Sequence, residues 1–233
     1  MGYYYWDPTY ILVIIGAVIC LLASARVKST FNKYSKVRTM SGRTGAQTAE
    51  EIAYRCHLGQ VRVQHVSGSL TDHYDPRDKT VNLSDSVYSS TSVAAVAVAA
   101  HECGHAVQDQ KDYVPLRMRH ALVPVANIGS SAAWPLILVG IFLNGNTGYL
   151  LMQIGIWAFT FAVAFQLVTL PVEFNASRRA LAIIRDTGMV TGEELGMARK
   201  VLTAAALTYV ASAAASILQL LRLLMIVNGR RRD

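Results

Sequence analysis

Four stretches of this sequence are at or near the length and apolarity that a bilayer crossing needs, residues 9–25, 121–143, 149–170 and 201–227. A helix rises 1.5 Å per residue, so about 20 such residues cross the ~30 Å hydrocarbon core. With 52% hydrophobic residues and a mean hydropathy of +0.30, the chain reads as a mainly α, multi-pass membrane protein.

Charge sets the orientation. Residues 1–8 carry aromatics and one acid, with Tyr3 to Trp6 placed to sit in the headgroup layer and extend a slightly short first span. No basic segment precedes this span, so it is an anchor and not a signal peptide. After it come Arg26, Lys28, Lys33, Lys36, Arg38 and Arg43, with no acidic residue before Glu50. The positive-inside tendency puts this side in the cytoplasm and the N-terminus outside. It also explains the net charge of +7 without nucleic acid. Residues 121–143 and 149–170, joined by the short linker 144–148, form a hairpin that returns the chain to the cytoplasmic side. Asn127, Ser130, Ser131 and Gln153 within it are expected to hydrogen-bond from helix to helix. Residues 201–227 read as a membrane-embedded helix. Arg222 interrupts it, and Arg230, Arg231 and Arg232 would land outside if it crossed fully. The odd, scattered Cys20, Cys56 and Cys103 indicate no disulfide framework and suit a reducing compartment.

The chemistry is concentrated in residues 92–108, SVAAVAVAAHECGHAVQ. Hydroxyls at 89–92 offer an N-cap, and Lys111, Asp112 and Pro115 mark the expected stop. On the resulting helix His101 and His105, four apart, face one way, with Glu102 beside them. This is H-E-x-x-H, in which two imidazoles hold a zinc ion and the glutamate serves as general base. Cys103 points elsewhere and reads as a small buried hydrophobe.

Around that helix the sequence predicts a helix at 49–57, with Thr48 and Glu51 as its capping box and Gly59 ending it. Three short strands between 61 and 83 form an expected antiparallel meander, turning at 67–69 and 76–78. The strand beside the catalytic helix is either a rail for an extended substrate or simply a cover for the helix. Thr191 with Glu194 forms another capping box, opening a helix through Lys200.

A hydrolytic zinc takes three protein ligands and keeps one open position. Gln108 and Lys111 occupy the glycine and third-histidine positions of the extended metzincin motif, which excludes that class. His73, Asp109, Asp112 and His120 compete for the third place. Glu173 is preferred, because it follows the hairpin on the side that carries His101 and His105. Its alternative is a carboxylate that only complements a helix dipole.

Taken together, HECGHAVQ, the upstream LTDHYDPR, the two spans and VEFNASRRAL resemble the membrane-bound neutral zinc metallopeptidases of the YugP type, related in plan to HtpX-like gluzincins. The resemblance covers about residues 42–224. It implies a zincin-like catalytic core with one Zn2+ per chain, held by His101, His105 and Glu173, and with Glu102 as base. One departure stands out. The wider group places an aspartate four residues after the ligand glutamate, where this chain has Ser177, which can orient a zinc-bound histidine but without charge. His73, Asn175, Arg178 and Tyr209 are open candidates for contacts to the substrate or the oxyanion.

The expected organisation is an N-terminal transmembrane helix at 1–26, a cytoplasmic segment with the sheet and H-E-x-x-H helix at 27–118, and the hairpin at 119–170. The third-ligand helix and a cytoplasmic helix follow at 171–200, and the apolar helix with its basic tail at 201–233. The expected function is a membrane-anchored peptidase acting on polypeptides, membrane proteins above all, at the cytoplasmic face of the cell membrane. A zinc-bearing scaffold is the alternative, against which the intact Glu102 argues. A metal transporter fits less well, since the motif lies outside the apolar runs.

Overall fold

The computed structural model describes residues 8–143 and 145–230, with side chains through 227; the aromatic cluster Tyr3 to Trp6 lies outside them. In chain order the elements are α1 (Tyr10–Tyr34), α2 (Gly45–Arg55), β1 (Arg62–Val66), β2 (His73–Asp75), β3 (Thr80–Ser84), α3 (Val93–Gln110), α4 (Val114–Phe142), α5 (Asn146–Asp186) and α6 (Gly192–Arg230). The chain is thus mainly helical with one small sheet. Helices α1, α4, α5 and α6 are long and apolar enough to cross a membrane. Only 6–22% of each apolar window is buried inside the protein, a large exposed apolar surface that suits a membrane location.

The chain divides into two compact units. The apolar unit comprises Met1–Ala23, Met118–Thr169 and Tyr209–Asp233. Within it, close approach rests on small residues. A β-carbon at Gly155 would come within 2.6 Å of Ile137, and one at Gly129 within 2.8 Å of the Ala158 carbonyl oxygen. The polar residues do not bridge helices as the sequence predicts. Ser130 and Ser131 donate to the Asn127 carbonyl at 3.1 and 2.7 Å, and Gln153 donates to the Tyr149 hydroxyl at 2.6 Å. Each finds its acceptor one turn back on its own helix, and the buried contacts of this unit are apolar, among them Ile137, Met152, Ile156, Leu223 and Val227. Arg222, 9% exposed, lies 4.0 Å from the centre of the Tyr10 ring and donates to the Thr9 hydroxyl at 3.3 Å.

The second unit, Ser24–Arg117 and Leu170–Thr208, is built around α3. From Val93 to Val107 this helix is almost wholly buried and contributes ten residues to one hydrophobic core. Ser92 caps it, accepting from the Ala95 amide at 3.2 Å. The sheet runs β1-β3-β2, with β1 parallel and β2 antiparallel to β3. The expected wholly antiparallel meander is therefore corrected to a mixed sheet. Burial supplies the reason: all five residues of β3 are buried, whereas β1 and β2 are partly exposed, so TVNLS takes the middle and the half-polar strands take the edges. Asp72 holds the crossing in place, accepting from the Ser84 amide and hydroxyl at 2.7 and 2.9 Å.

Two helix boundaries are corrected as well. Helix α2 begins at Gly45, and its capping box is Thr44 with Gln47, while Thr48 is fully buried and donates to the Thr44 carbonyl at 2.8 Å. The chain leaves α2 through His57 at φ 56°, so Gly59 is not its terminator. Pro115 sits in the first turn of α4 instead of merely ending α3, a place where its missing N–H costs nothing. The capping box at Thr191 is present: the Glu194 carboxylate accepts from the Thr191 amide at 2.7 Å, and its other oxygen accepts from Met40 N at 2.7 Å. The divisions expected at 119, 171 and 201 fall inside continuous helices.

Candidate metal centre

The centre is assembled where α3 meets the segment of α5 after Leu170, and Gly104 makes the meeting close. A β-carbon there would lie 2.6 Å from the Ala176 carbonyl oxygen, so only hydrogen fits. Because Gly104 lies between His101 and His105 in sequence and Ala176 lies three residues after Glu173, this contact draws the three polar side chains together. The His101 Nε2 is 3.2 Å and the His105 Nε2 3.6 Å from one carboxylate oxygen of Glu173. The rings stand 4.8 Å apart at 85°, and the three donor atoms lie within 4.8 Å of one another. Glu173 is 1% exposed and His105 7%.

Both imidazoles are oriented from behind. The His101 Nδ1 lies 3.1 Å from the Ser177 hydroxyl, and the His105 Nδ1 lies 3.0 Å from the Gln108 side-chain oxygen. If each Nδ1–H donates outward, each Nε2 lone pair is left to face Glu173. The donor set is thus two neutral imidazole nitrogens and a carboxylate, the type that zinc takes in hydrolytic sites. The two histidine-to-glutamate separations also fit: ligands about 2.1 Å from a tetrahedral ion stand roughly 3.4 Å apart, between the 3.2 and 3.6 Å found here.

Glu102 is 8% exposed. Burial pushes its carboxyl up to about 7, assisted by the charges of Glu173 and Asp72 and opposed by those of His101 and His73. A carboxylate near neutrality can both take up and release a proton.

The remaining candidates separate. His73 lies exposed on the edge strand β2, its Nδ1 2.9 Å from the Thr71 carbonyl oxygen. Asn175 accepts from Gln108 at 3.0 Å and from Arg179 at 2.7 Å, so its oxygen is committed to packing. Arg178 is exposed, and Tyr209 belongs to the apolar unit. Among the rejected ligands, Asp109 accepts from Tyr74 at 2.7 Å and pairs with Lys79 at 2.5 Å, tying the sheet to α3. Asp112 lies past the end of α3 at φ 48°, and His120 lies on α4 in the apolar unit.

Sequence reasoning missed Gln108. It is wholly buried, and its amide also donates to the Val172 carbonyl at 2.9 Å, so one side chain braces His105 and ties α3 to α5. The available signal was a polar residue three places after His105, close to one turn along the same helix. Gln108→Leu is expected to weaken zinc binding about 10- to 100-fold, whereas Gln108→Glu, which keeps the acceptor, should lose less. Competition titration against a zinc chelator measures both, and equal affinities for wild type and Gln108→Leu would refute the role.

Residues 9–228 match the family described as "Putative neutral zinc metallopeptidase". The chain is 49% identical over 223 residues to the "Putative membrane protease YugP" of Bacillus subtilis (strain 168), an alignment covering 95% of this chain and 98% of that protein. No solved structure matches it at a significant level.

Proposed function

The chain belongs to the neutral zinc metallopeptidase family, and on that premise we propose that it is a membrane-anchored gluzincin that hydrolyses peptide bonds in membrane proteins or their tails at the cytoplasmic face. The observation that carries this reading is the convergence of His101, His105 and Glu173 on one point with Glu102 buried beside it.

His101 and His105 would hold the ion through Nε2 and Glu173 through a carboxylate oxygen, with Ser177 and Gln108 fixing the rings. Bound zinc supplies Lewis acidity, polarising a carbonyl and lowering the pKa of water to about 7. Glu102 takes a proton from the attacking water onto its carboxylate and delivers it to the leaving amide nitrogen. The outer edge of β2, an end strand of the sheet, accepts an extended substrate by main-chain hydrogen bonding. His73 on that strand is the side chain proposed to meet the substrate carbonyl. Support for the cytoplasmic side comes from Arg26, Lys28, Lys33, Lys36, Arg38 and Arg43, which all fall in the unit that carries the site.

Purified full-length protein should cleave casein, lose that activity to a zinc chelator and regain it with zinc. A cysteine placed at Glu50 should label in inverted vesicles and not in right-side-out ones. Zinc bound with no cleavage of casein or membrane substrates would favour a scaffold, and the opposite labelling pattern would remove the cytoplasmic assignment.

The pH dependence follows from Glu102. As a base it works ionised, so kcat/KM should fall as pH drops through its pKa. Burial raises that value to about 7 and the charge of zinc lowers it, which puts the acid limb between about 4.5 and 7. The profile is measured with bound zinc determined at each pH, to separate loss of base from loss of ion. Activity that stays level down to pH 4.5 with zinc in place contradicts the assignment.

A further inference from the structure

Four cations of the site-bearing unit surround a single cleft. Arg26, Ser29, Thr30 and Lys33 of α1 line one side of a cavity of about 330 Å3, and Arg199, Lys200 and Thr203 of α6 line the other. The spacing i, i+3, i+4, i+7 on α1 puts its four on one face, and 199, 200 and 203 do the same on α6. No acidic residue lines the cavity. Among the described residues none of the four cations is in an ion pair, and Lys33 instead lies 5.6 Å from the centre of the Tyr34 ring. Like charges gathered without a carboxylate repel one another, and the arrangement is relieved when an anion enters.

We propose that this cleft binds the phosphate of an anionic phospholipid headgroup. Phosphate oxygens take several hydrogen bonds at once, and here guanidinium, ammonium and three hydroxyls converge. Depth selects a lipid over a soluble phosphate. Arg26 directly follows the apolar run that ends at 25 within the same helix, and Lys200 directly precedes the run that starts at 201. On α1, Arg26 therefore stands where hydrocarbon gives way to headgroups, and the α6 wall faces it from a helix that carries no charge from 201 until Arg222. Four cations also favour a headgroup with net negative charge over a zwitterion that carries its own ammonium. The site is separate from the metal centre: it shares no residue with it.

Native mass spectrometry of the full-length protein, taken from equimolar phosphatidylglycerol and phosphatidylcholine, tests this. Wild type should retain phosphatidylglycerol selectively. Lys33→Gln/Arg199→Gln should lower that selectivity by about 25-fold, at roughly fivefold per charge. Lys28→Gln/Lys36→Gln, which removes the same charge outside the cleft, should leave it intact, and Lys33→Arg/Arg199→Lys should preserve it while showing that the positions tolerate change. No selectivity in wild type, or equal losses in the two glutamine variants, overturns the site. Saturable binding of inorganic phosphate without lipid selectivity overturns the lipid as its occupant.

Discussion

Gly104→Val is expected to abolish zinc binding and peptide cleavage together while leaving the chain in the membrane. The first added carbon would sit 2.6 Å from the Ala176 carbonyl oxygen and 3.3 Å from its Cα. These are main-chain atoms of a helix and cannot swing aside, so α3 and α5 must part. Overpacking of this kind costs about 1–3 kcal/mol, but the larger effect is on geometry. Histidine and glutamate donors now 3.2 and 3.6 Å apart would separate beyond what one small ion bridges. Because the obstacle is a carbonyl, Ala176→Gly should not rescue the variant. Zinc content by elemental analysis and casein cleavage read the result. A Gly104→Val protein with full zinc and normal turnover would show that the close contact does not position the centre.

Glu102→Gln carries the second large effect, and it should divide what the first removes together. Glutamine keeps the shape of a side chain that is 8% exposed and that burial already drives toward neutrality, so fold and zinc content should hold. What disappears is the proton acceptor, and kcat/KM should fall about 10²- to 10⁴-fold. The inactive, zinc-loaded variant should then retain substrates long enough to be recovered with them. More than a tenth of wild-type activity in this variant would mean that another group removes the proton.

The residues that advertised themselves in the sequence did so by period and type. His101 and His105 at i and i+4, the long apolar runs, and Thr191 with Glu194 are local signals, and local geometry places them. The sheet was less legible. Hydrophobic pattern marks strands at 61–66, 70–75 and 80–83, close to those observed, but which one lies in the middle depends on the layers that cover both faces of β3, a tertiary fact. Likewise two hydroxyl-led openings, Thr44-x-x-Gln47 and Thr48-x-x-Glu51, compete for the start of α2. Packing decides for the first, because Thr48 is needed inside. Ser130 and Ser131 on α4 bond differently from expectation because a residue type shows a hydrogen-bonding need but not which neighbour meets it. The nearness of Glu173 to the imidazoles followed from counting membrane crossings, not from spacing. Gln108 stayed hidden because its role exists only once α5 is beside it.

The central claim is that one ion sits among His101, His105 and Glu173, and X-ray absorption at the zinc edge with metal stoichiometry tests it most directly. Wild type should bind one zinc per chain with two imidazoles and only nitrogen and oxygen neighbours, and Glu173→Gln should lose one of those oxygens and bind zinc at least tenfold more weakly. A sulfur neighbour, a single imidazole, or a spectrum and affinity unchanged in Glu173→Gln would contradict the account.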